Sequence, residues 1–536
     1  MKLRKFKIEN HARLADAEIE VRDHLVLIGP NDVGKSSVLR CLDLLLGAST
    51  AQLYARISPS DFRDVQAPFI ISATLSDFSG SEKAQYPDGI VVDSAGGLSL
   101  EVRLEARLEA GETLDIRRSM PHAGNQRQMT REELAEIGWR MIGATSTTRD
   151  LRENRASALD DILRSIDLGA ERGELRLIAD QLQTKLKTSP TLGRLRGKLA
   201  TQLSRALPEL VQQDDLTFVP GAAATDDVLS DVRLQVSRHG ITRNLTEQSD
   251  GTRAMFAVAL YDLVSESANV VAVDEPELHL HPSSQRSIGT LLRGGDNQKI
   301  VATHSADVVG AFQPDCIVAV KPGGVLVQPQ PAFLTAEETL LVHWWNRDKL
   351  EPLTANHIVA VEGVSDRLIL QRAAELAGRD LDRLGVSLVE VGGAGNMQPV
   401  LKLFGPTGFN VPLSILIDSD AVDKTAEVLG VSPADISSKS VWISVNDLED
   451  EYVAALGASA CWSALEKSKL FSANELGNCS TSGPNGERID EDVAEFCRRK
   501  KYKVRAAMAI APELTMSSAQ QIKSVNGLLS SFASSA

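Results

Sequence analysis

The glycine-rich stretch Gly29-Pro-Asn-Asp-Val-Gly-Lys-Ser36 constrains the fold more than any other part of the chain. The apolar run His24–Ile28 leads into it, and an apolar run with helical spacing, Ser37–Leu46, follows it. A loop of this kind between a strand and a helix places backbone amides around a phosphate at the helix N-terminus. A glycine-rich turn that merely opens a helix is the alternative, but the complete match to the loop pattern favours a nucleotide site in an α/β fold.

Five residues of this stretch are candidate nucleotide ligands: Asn31, Gly34, Lys35, Ser36 and Ser37. Gly34 lets the backbone approach the phosphates, and Lys35 supplies positive charge to the terminal phosphates. Ser36 can also coordinate the magnesium ion that accompanies the nucleotide. We therefore predict ATP with magnesium as the ligand of this loop.

Two later apolar runs end on residues suited to nucleotide hydrolysis. The run Asn269–Val273 stops at Asp274 and Glu275, and the run Lys299–Thr303 stops at His304. Asp274 can hold the magnesium shell, and Glu275 can polarise the water that attacks the terminal phosphate. A lone histidine at a strand end is more often structural, but the position of His304 behind the other motifs favours contact with that phosphate.

A long middle stretch, Thr130–Leu210, places Leu, Arg, Glu and Ala at helical spacing and predicts a helical insertion. Strand-like stretches precede it at Ala67–Leu75 and Leu98–Leu108 and follow it at Val228–Val236. The insertion is either a packing subdomain or an arm that forms a dimer. Arms of the second kind are common in dimeric ATPases, so we expect dimerisation.

In the second half of the chain, two apolar runs that predict buried strands stop on carboxylates. The first ends on Glu362 and Asp366, and the second ends on Asp418 and Asp420. Acids at the carboxyl ends of parallel strands face one crevice. Four such carboxylates would hold hard divalent cations, and two ions could clamp the attacking and leaving oxygens of a phosphodiester. Solvated carboxylates that merely cap a sheet are the alternative.

The first half of the chain resembles ATP-binding-cassette ATPases, in the branch related to RecF and SMC heads. The residues that carry the resemblance are, in order, Gly29–Ser36, Ser249–Arg253, Val270–Glu275 and His304. In that family the signature segment of one subunit completes the nucleotide site of another. The resemblance therefore implies that Ser249 and Gly251 bind nucleotide across a homodimer or higher homo-oligomer. Asp250 departs from the commonest signature and is nearer to the Ser-x-Gly-Thr-Arg form of the DNA-associated branch.

The second half resembles the Toprim domain through Glu362, the turn at Gly393 and the Asp418-x-Asp420 pair. A cassette ATPase followed by Toprim resembles the OLD family of nucleases, including its Gabija-type members, over nearly the whole sequence. This likeness implies DNA cleavage with two Mg²⁺ or Mn²⁺ ions, a defence role against phage and a helicase-like partner subunit.

The same likeness implies two further site residues beyond the Toprim motif. Glu449 matches an additional metal-binding acid, although the neighbouring Asp447, Asp450 and Glu451 leave that choice open. A late lysine that stabilises developing phosphate charge corresponds to Lys503 or, as the alternative in the same basic run, to Lys501.

Composition limits where this chemistry takes place. The net charge of −15 counts against indiscriminate nucleic-acid binding, so DNA must meet local basic residues or metal ions. The sequence contains no run of about 18 apolar residues, so it predicts no membrane span. Its first residues lack the apolar core of a signal peptide, and we therefore expect a cytoplasmic protein. Five scattered cysteines argue against both a disulfide framework and a zinc site.

We predict an ATPase head in two parts, 1–130 and 213–330, around a dimerising helical insertion at 131–212, then a linker at 331–355 and a Toprim domain at 356–536. The leading hypothesis is a metal-dependent DNA endonuclease that its ATPase head controls. A DNA-binding ATPase scaffold with a non-catalytic Toprim domain is the main alternative. A topoisomerase-like enzyme is a third hypothesis, which requires a tyrosine nucleophile.

Overall fold

The structure is a computed structural model that divides into two compact units, Met1–Val327 and Gln328–Ala536. The residues that it describes are 1–92, 96–109, 113–142, 181, 184–206, 210–219, 233–238, 241–244, 251–252, 255–256, 268–278, 280–339, 351–392 and 397–532. No helix within these ranges is both long and apolar enough to cross a bilayer. All five cysteines fall within them, and each is free and buried.

The first unit combines three sheets with helices. Its strands are β1 Lys2–Glu9, β2 Ala17–Glu20, β3 Leu25–Ile28, β4 Phe69–Ser76, β5 Ile90–Val92, β6 Leu98–Glu109, β7 Thr113–Ser119, β8 Trp139–Ile142, β9 Leu216–Val219, β10 Arg233–Arg238, β11 Ile241–Asn244, β12 Val270–Asp274, β13 Gln298–Thr303, β14 Ile317–Lys321 and β15 Val325–Val327. Its described α-helices include Lys35–Leu46, Thr50–Arg56, Gly80–Gln85, Arg131–Glu136, Pro190–Ala206, Pro282–Arg293 and Ala306–Val309.

The central sheet of this unit has the order β15-β14-β3-β13-β12-β8 and is parallel except for β15. Every residue of β3 and β13 is buried, which explains the continuous apolar runs Leu25–Ile28 and Ile300–Ala302. Because β3, β13 and β12 are neighbours that run in the same direction, the residues that follow them meet at one edge of the sheet. That edge receives Gly29, His304 and Glu275.

The other two sheets of the unit are antiparallel. One has the order β2-β1-β4-β6-β5 with β7 paired to β6, and its strand β4 alternates buried and half-buried residues. The second is the small sheet β11-β10-β9. The predicted strands Ala67–Leu75 and Leu98–Leu108 are confirmed within a few residues as β4 and β6, since alternation marks a sheet with one covered face. Strand β10 agrees with the end of the predicted strand Val228–Val236, whose residues 228–232 lie outside the described residues.

The predicted helical insertion over Thr130–Leu210 begins with helix Arg131–Glu136 as expected but is wrong at Trp139–Ile142. Strand β8 lies inside that stretch and pairs in parallel with β12 at the edge of the central sheet. Four residues are too few to display a period of two, and the helical pattern on either side conceals them. Helix Pro190–Ala206 agrees with the prediction. Residues 143–180, which would form most of the proposed arm, lie outside the described residues.

The second unit is built on a four-stranded parallel sheet of order β17-β16-β18-β19. Its strands are β16 His357–Val361, β17 Val386–Glu390, β18 Leu413–Ile417 and β19 Val441–Ile443. Its described α-helices include Val364–Leu376, Met397–Phe404, Val422–Leu429, Leu448–Leu456, Ala458–Ser468, Ala473–Leu476, Asp490–Arg498, Lys503–Ile510, Met516–Gln521 and Lys523–Ser531. The predicted alternation of strands and helices is confirmed.

Helix Lys503–Ile510 packs against helix Val364–Leu376 in the core of this unit. The residue before it, Tyr502, is fully buried and stacks on Phe496 with ring centroids 4.7 Å apart. Phe471 meets the edge of the same tyrosine ring. This aromatic cluster fixes the start of the late helix against the helix that follows β16.

Candidate functional site

The ends of β16 and β18 bring the first two predicted acids together. Val361 is paired with Leu416 across the two parallel strands, so Glu362 and Asp418 leave the sheet side by side. The backbone N–H of Asp418 donates to Oε1 of Glu362 over 3.1 Å. Burial raises the pKa of Glu362 to about 7, and the charges of Asp418 and Asp366 add to that effect. As expected, the strand has ended by Asp418.

Asp366 lies in the first turn of helix Val364–Leu376 and is only 4% exposed. Its carboxylate accepts the backbone N–H of Gly363 over 2.9 Å and the hydroxyl of Ser365 over 3.2 Å. Burial raises the pKa of Asp366, and Lys503 opposes that rise. The helix N-terminus thus holds a buried acid beside the strand ends.

Glu449 enters the cluster from helix Leu448–Leu456. It is 0% exposed, and no described residue donates a hydrogen bond to either of its carboxylate oxygens. Lys503 Nζ lies 3.3 Å from its Oε2 as an ion pair. Burial raises the pKa of Glu449 to about 7 against the attraction of Lys503. Asp418 supports the start of this helix, because its Oδ1 accepts the backbone N–H of Leu448 over 3.0 Å.

The three acids around Glu449 have other partners. Asp447 caps the helix by accepting the backbone N–H of Asp450 over 2.8 Å. Arg498 bridges Asp447 and Asp450, with N–O distances of 2.8 and 2.6 Å. Glu451 accepts bonds from the backbone of Val445 and from Ser524. Among these four acids, the geometry therefore favours Glu449 for the cluster.

Lys503 is the cation of the cluster. Its Nζ lies 3.2 Å from Oδ2 of Asp418, and its side chain is 26% exposed. Burial alone would lower the pKa of Lys503, but Glu449, Asp366 and Asp418 outweigh it and raise the pKa above its ordinary value. The alternative, Lys501, is exposed and lies over the Tyr502 ring, with Nζ 4.6 Å from its centroid.

Asp420 differs from the other acids because its side chain is exposed. It lies on a short 3-10 helix, Ser419–Ala421, that directly follows Asp418. Within the described ranges, no three Asp, Glu, His or Cys side chains are already arranged as a metal-binding group. In this arrangement Asp418 and Glu449 are instead the ion-pair partners of Lys503. The donor set nevertheless fits a hard divalent ion, because the buried oxygens of Glu449 have no hydrogen-bond donor.

The nucleotide loop follows β3 as predicted. Gly34 has φ 113°, in the left-handed region, and a Cβ there would meet Leu14 at 2.6 Å, so only glycine fits. Lys35 begins the helix, is 4% exposed and donates to the carbonyls of Gly29 and Pro30 over 2.9 and 2.8 Å. The ammonium group of Lys35 is therefore held inside the loop. Asn31, another predicted ligand in this loop, is exposed.

The end of β12 faces this loop. The Ser36 hydroxyl donates a hydrogen bond to Oδ1 of Asp274 over 3.1 Å, so the two predicted magnesium ligands are in contact. Burial raises the pKa of Asp274 to about 6, and the bond from Ser36 opposes that rise. Glu275 has a left-handed backbone, φ 49°, and its N–H donates to Ala302 on the neighbouring strand over 2.8 Å.

Other predicted residues contribute less to the described geometry. Ser37 is half-buried in the first turn of its helix, and Gly251 is half-buried on a short helical segment. Ser249 and Gly393 lie outside the described residues. Sequence reasoning missed Glu277, which contacts His304, and gave Arg498 no role. The sequence signals were an additional acid two residues after Glu275 and a basic run directly before Lys503.

Comparisons with known families match both halves of the chain. One family model matches residues 25–309. It is described as an AAA domain, and its description also names the AbiEii toxin and the type IV TA system. A second, "Overcoming lysogenization defect protein-like, TOPRIM domain", matches residues 353–420. Domains of these two kinds use a nucleotide and divalent metal ions.

Individual relatives span most of the chain. The OLD nuclease of Thermus scotoductus is 24% identical over 464 residues, which cover 79% of this chain and 84% of that protein. Endonuclease GajA of Bacillus cereus is 19% identical over 431 residues, which cover 73% of this chain and 71% of that protein. The solved C-terminal region of the Burkholderia pseudomallei OLD protein is 24% identical and covers 34% of this chain and 98% of that one, with a TM-score of 0.27.

Proposed function

The chain belongs to the AAA domain family and carries an OLD-like TOPRIM domain C-terminal to it, and on that premise we propose that it is an ATP-binding, metal-dependent endonuclease that cuts DNA. One observation carries the proposal, which is the cluster of Glu362, Asp366, Asp418 and Glu449 around Lys503. Among them, the buried carboxylate of Glu449 receives no hydrogen bond from a described residue, and such a group is costly to keep. A purely structural domain gains nothing from that cost, whereas a metal-dependent nuclease requires it.

We infer that the four buried or half-buried acids, with Asp420, hold two Mg²⁺ or Mn²⁺ ions. Bound metal ions of this kind supply a nucleophile at neutral pH and neutralise charge on the phosphate. Lys503 then acts on the same phosphate, since its ammonium group lies among the acids and remains protonated. A cation in that place stabilises the charge that develops as the phosphodiester breaks.

We propose that the first unit controls this activity through ATP bound at Lys35, Ser36 and Asp274. Glu275 would polarise the attacking water, and the signature residues Ser249 and Gly251 would complete the site of a second copy. The helical insertion would support that homodimer or a higher homo-oligomer. We also propose a role in defence against phage with a helicase-like partner subunit, which the resemblance to Gabija-type members of the OLD family implies. Free cysteines suit a reducing cytoplasm.

The test is cleavage of supercoiled and linear DNA with Mg²⁺ or Mn²⁺, with and without ATP. Glu362→Gln should abolish cutting while ATP hydrolysis continues, because it removes one acid from the strand ends. Glu427→Gln is the matched control, since Glu427 is exposed on a helix of the same unit. Cutting by Glu362→Gln at the native rate would refute the proposal. ATP hydrolysis with no cutting in any condition would favour the scaffold alternative.

A topoisomerase-like reaction is the weaker alternative on structural grounds. It requires a tyrosine that reaches the DNA backbone. Tyr452 and Tyr502 are the tyrosines of the second unit, and both are 0% exposed in its core. Neither can attack a phosphate beside the acids without loss of that core. A covalent adduct between the chain and DNA, detected after denaturation, would restore this alternative.

A further inference from the structure

Glu277 is a buried acid that contacts His304, the histidine predicted to meet the terminal phosphate. It lies in the loop after β12 and is 2% exposed. Its Oε1 accepts the backbone N–H of His304 over 2.7 Å and lies 3.1 Å from Nδ1 of the same residue. His304 directly follows β13, the strand between β3 and β12. One carboxylate oxygen therefore holds both the backbone and the ring of a single residue.

The contact to Nδ1 fixes the chemistry of the ring. A carboxylate only accepts hydrogen bonds, so a hydrogen bond at this contact requires the proton on Nδ1 and leaves Nε2 as the atom available to a ligand. The His304 side chain is 45% exposed, whereas that of Glu277 is 1% exposed. The ring thus has one protein-facing nitrogen and one accessible nitrogen.

The cost of this arrangement suggests that it serves a function. No described residue donates to the second oxygen of Glu277, Oε2, which is buried. Burial of a carboxylate with an unpaired oxygen is unfavourable. Glu277 also lies within electrostatic reach of the nucleotide loop. Burial lowers the pKa of Lys35, and the charges of Glu275 and Glu277 are the first that oppose it.

We propose that Glu277 is a positioning residue of the nucleotide site that accepts a hydrogen bond from Nδ1 of His304 and holds the ring in one orientation, with Nε2 turned to the terminal phosphate of ATP. The inference rests on the proposed function in assuming that His304 serves ATP hydrolysis.

A structural role predicts something different from a positioning role. If Glu277 only supports the loop through the backbone N–H of His304, its replacement by glutamine should change little, since a glutamine oxygen can accept the same bonds. If its charge polarises the ring, Glu277→Gln should lower kcat for ATP hydrolysis about tenfold or more and leave KM nearly unchanged. Glu132→Gln, at an exposed acid of the same unit, is the matched control.

A double-mutant cycle with His304→Ala separates these cases. We expect Glu277→Gln to have no further effect on kcat once the imidazole is gone. An equal loss in both backgrounds would overturn the proposal, because Glu277 would then act on another group. A native kcat in Glu277→Gln would overturn it as well.

A second measurement does not depend on catalysis. Histidine-selective ¹⁵N labelling, with His304→Gln to assign the signal, reports which ring nitrogen is protonated in the full chain. We expect the proton on Nδ1 in the native chain and its loss from that position in Glu277→Ala. Absence of the proton from Nδ1 in the native chain would overturn the proposal. Absence of ATP hydrolysis with the expected tautomer would instead refute the proposed function alone.

Discussion

Replacement of Glu449 by glutamine should stabilise the metal-free second unit at alkaline pH while it abolishes cleavage. Glu449 is fully buried and no described residue donates a hydrogen bond to it, so its ionised form is favoured only by the ion pair with Lys503. Glutamine has nearly the same shape and carries no charge. The variant therefore removes the cost of a buried charge at the expense of a proposed metal ligand.

The magnitude follows from the pKa. Burial raises the pKa of Glu449 from 4.5 to about 7. One pKa unit corresponds to about 1.36 kcal/mol, so ionisation in the fold costs about 3 kcal/mol. Between those two values the folded state keeps a proton that the unfolded state has lost. Stability from this group is therefore present below pH 4.5 and is lost as the pH rises through about 7.

The assay is hydrogen exchange of peptides from β16 and β18 in the presence of a chelator. A chain of two units has no single free energy of unfolding, so local exchange is the appropriate measure. Relative to the native chain, Glu449→Gln should gain about 2 kcal/mol of protection between about pH 5.5 and about pH 8.5. Groups that titrate equally in both proteins cancel in this comparison.

Metal addition supplies the control for this experiment. Mn²⁺ at alkaline pH should raise the protection of the native chain, because an ion that binds only the folded state stabilises it by mass action. The glutamine variant should gain much less. A difference between the two proteins that does not change with pH would refute the reasoning, since Glu449 would then not be a buried ionised group.

Three further substitutions test the remaining contacts. Lys503→Met should lower DNA cleavage by about 100-fold or more, because it removes the cation beside the scissile phosphate, whereas Lys501→Met should change it by less than about threefold in the same plasmid assay. Arg498→Met should lower cleavage about tenfold by freeing the two aspartates at the start of the Glu449 helix, with Arg499→Met as its control. Lys35→Met should abolish binding of a fluorescent ATP analogue, and its DNA cleavage rate shows whether nucleotide drives or restrains cutting.

Sequence patterns predicted the strands and the positions of acids at their ends, because both are local features. The runs before Glu362 and Asp418 become neighbouring parallel strands, and the loop before Lys35 joins a strand to a helix as expected. Local sequence pattern could not single out Glu449 among the four acids between Asp447 and Glu451. That choice depends on Lys503, a residue far along the chain that reaches the cluster only after the late helix packs.

Strand β8 and Glu277 show two other limits of local pattern. Strand β8 is four residues long and gains its stability from pairing with β12, a partner far away in sequence. Glu277 looks like one more acid in a polar loop, and only its burial against His304 distinguishes it. Tertiary contact, rather than residue type, determines the role of each.

The charges of the acidic cluster imply an order of events for DNA binding. Four carboxylates around one ammonium group would repel a phosphate if all were ionised. Burial instead raises the pKa values of Glu362, Asp366 and Glu449, so that the metal-free cluster retains protons near neutral pH. A divalent ion must displace those protons before the acids can act as ligands. Metal binding should therefore release protons and precede productive contact with DNA, which explains how a chain of net charge −15 can still meet a polyanion at this site.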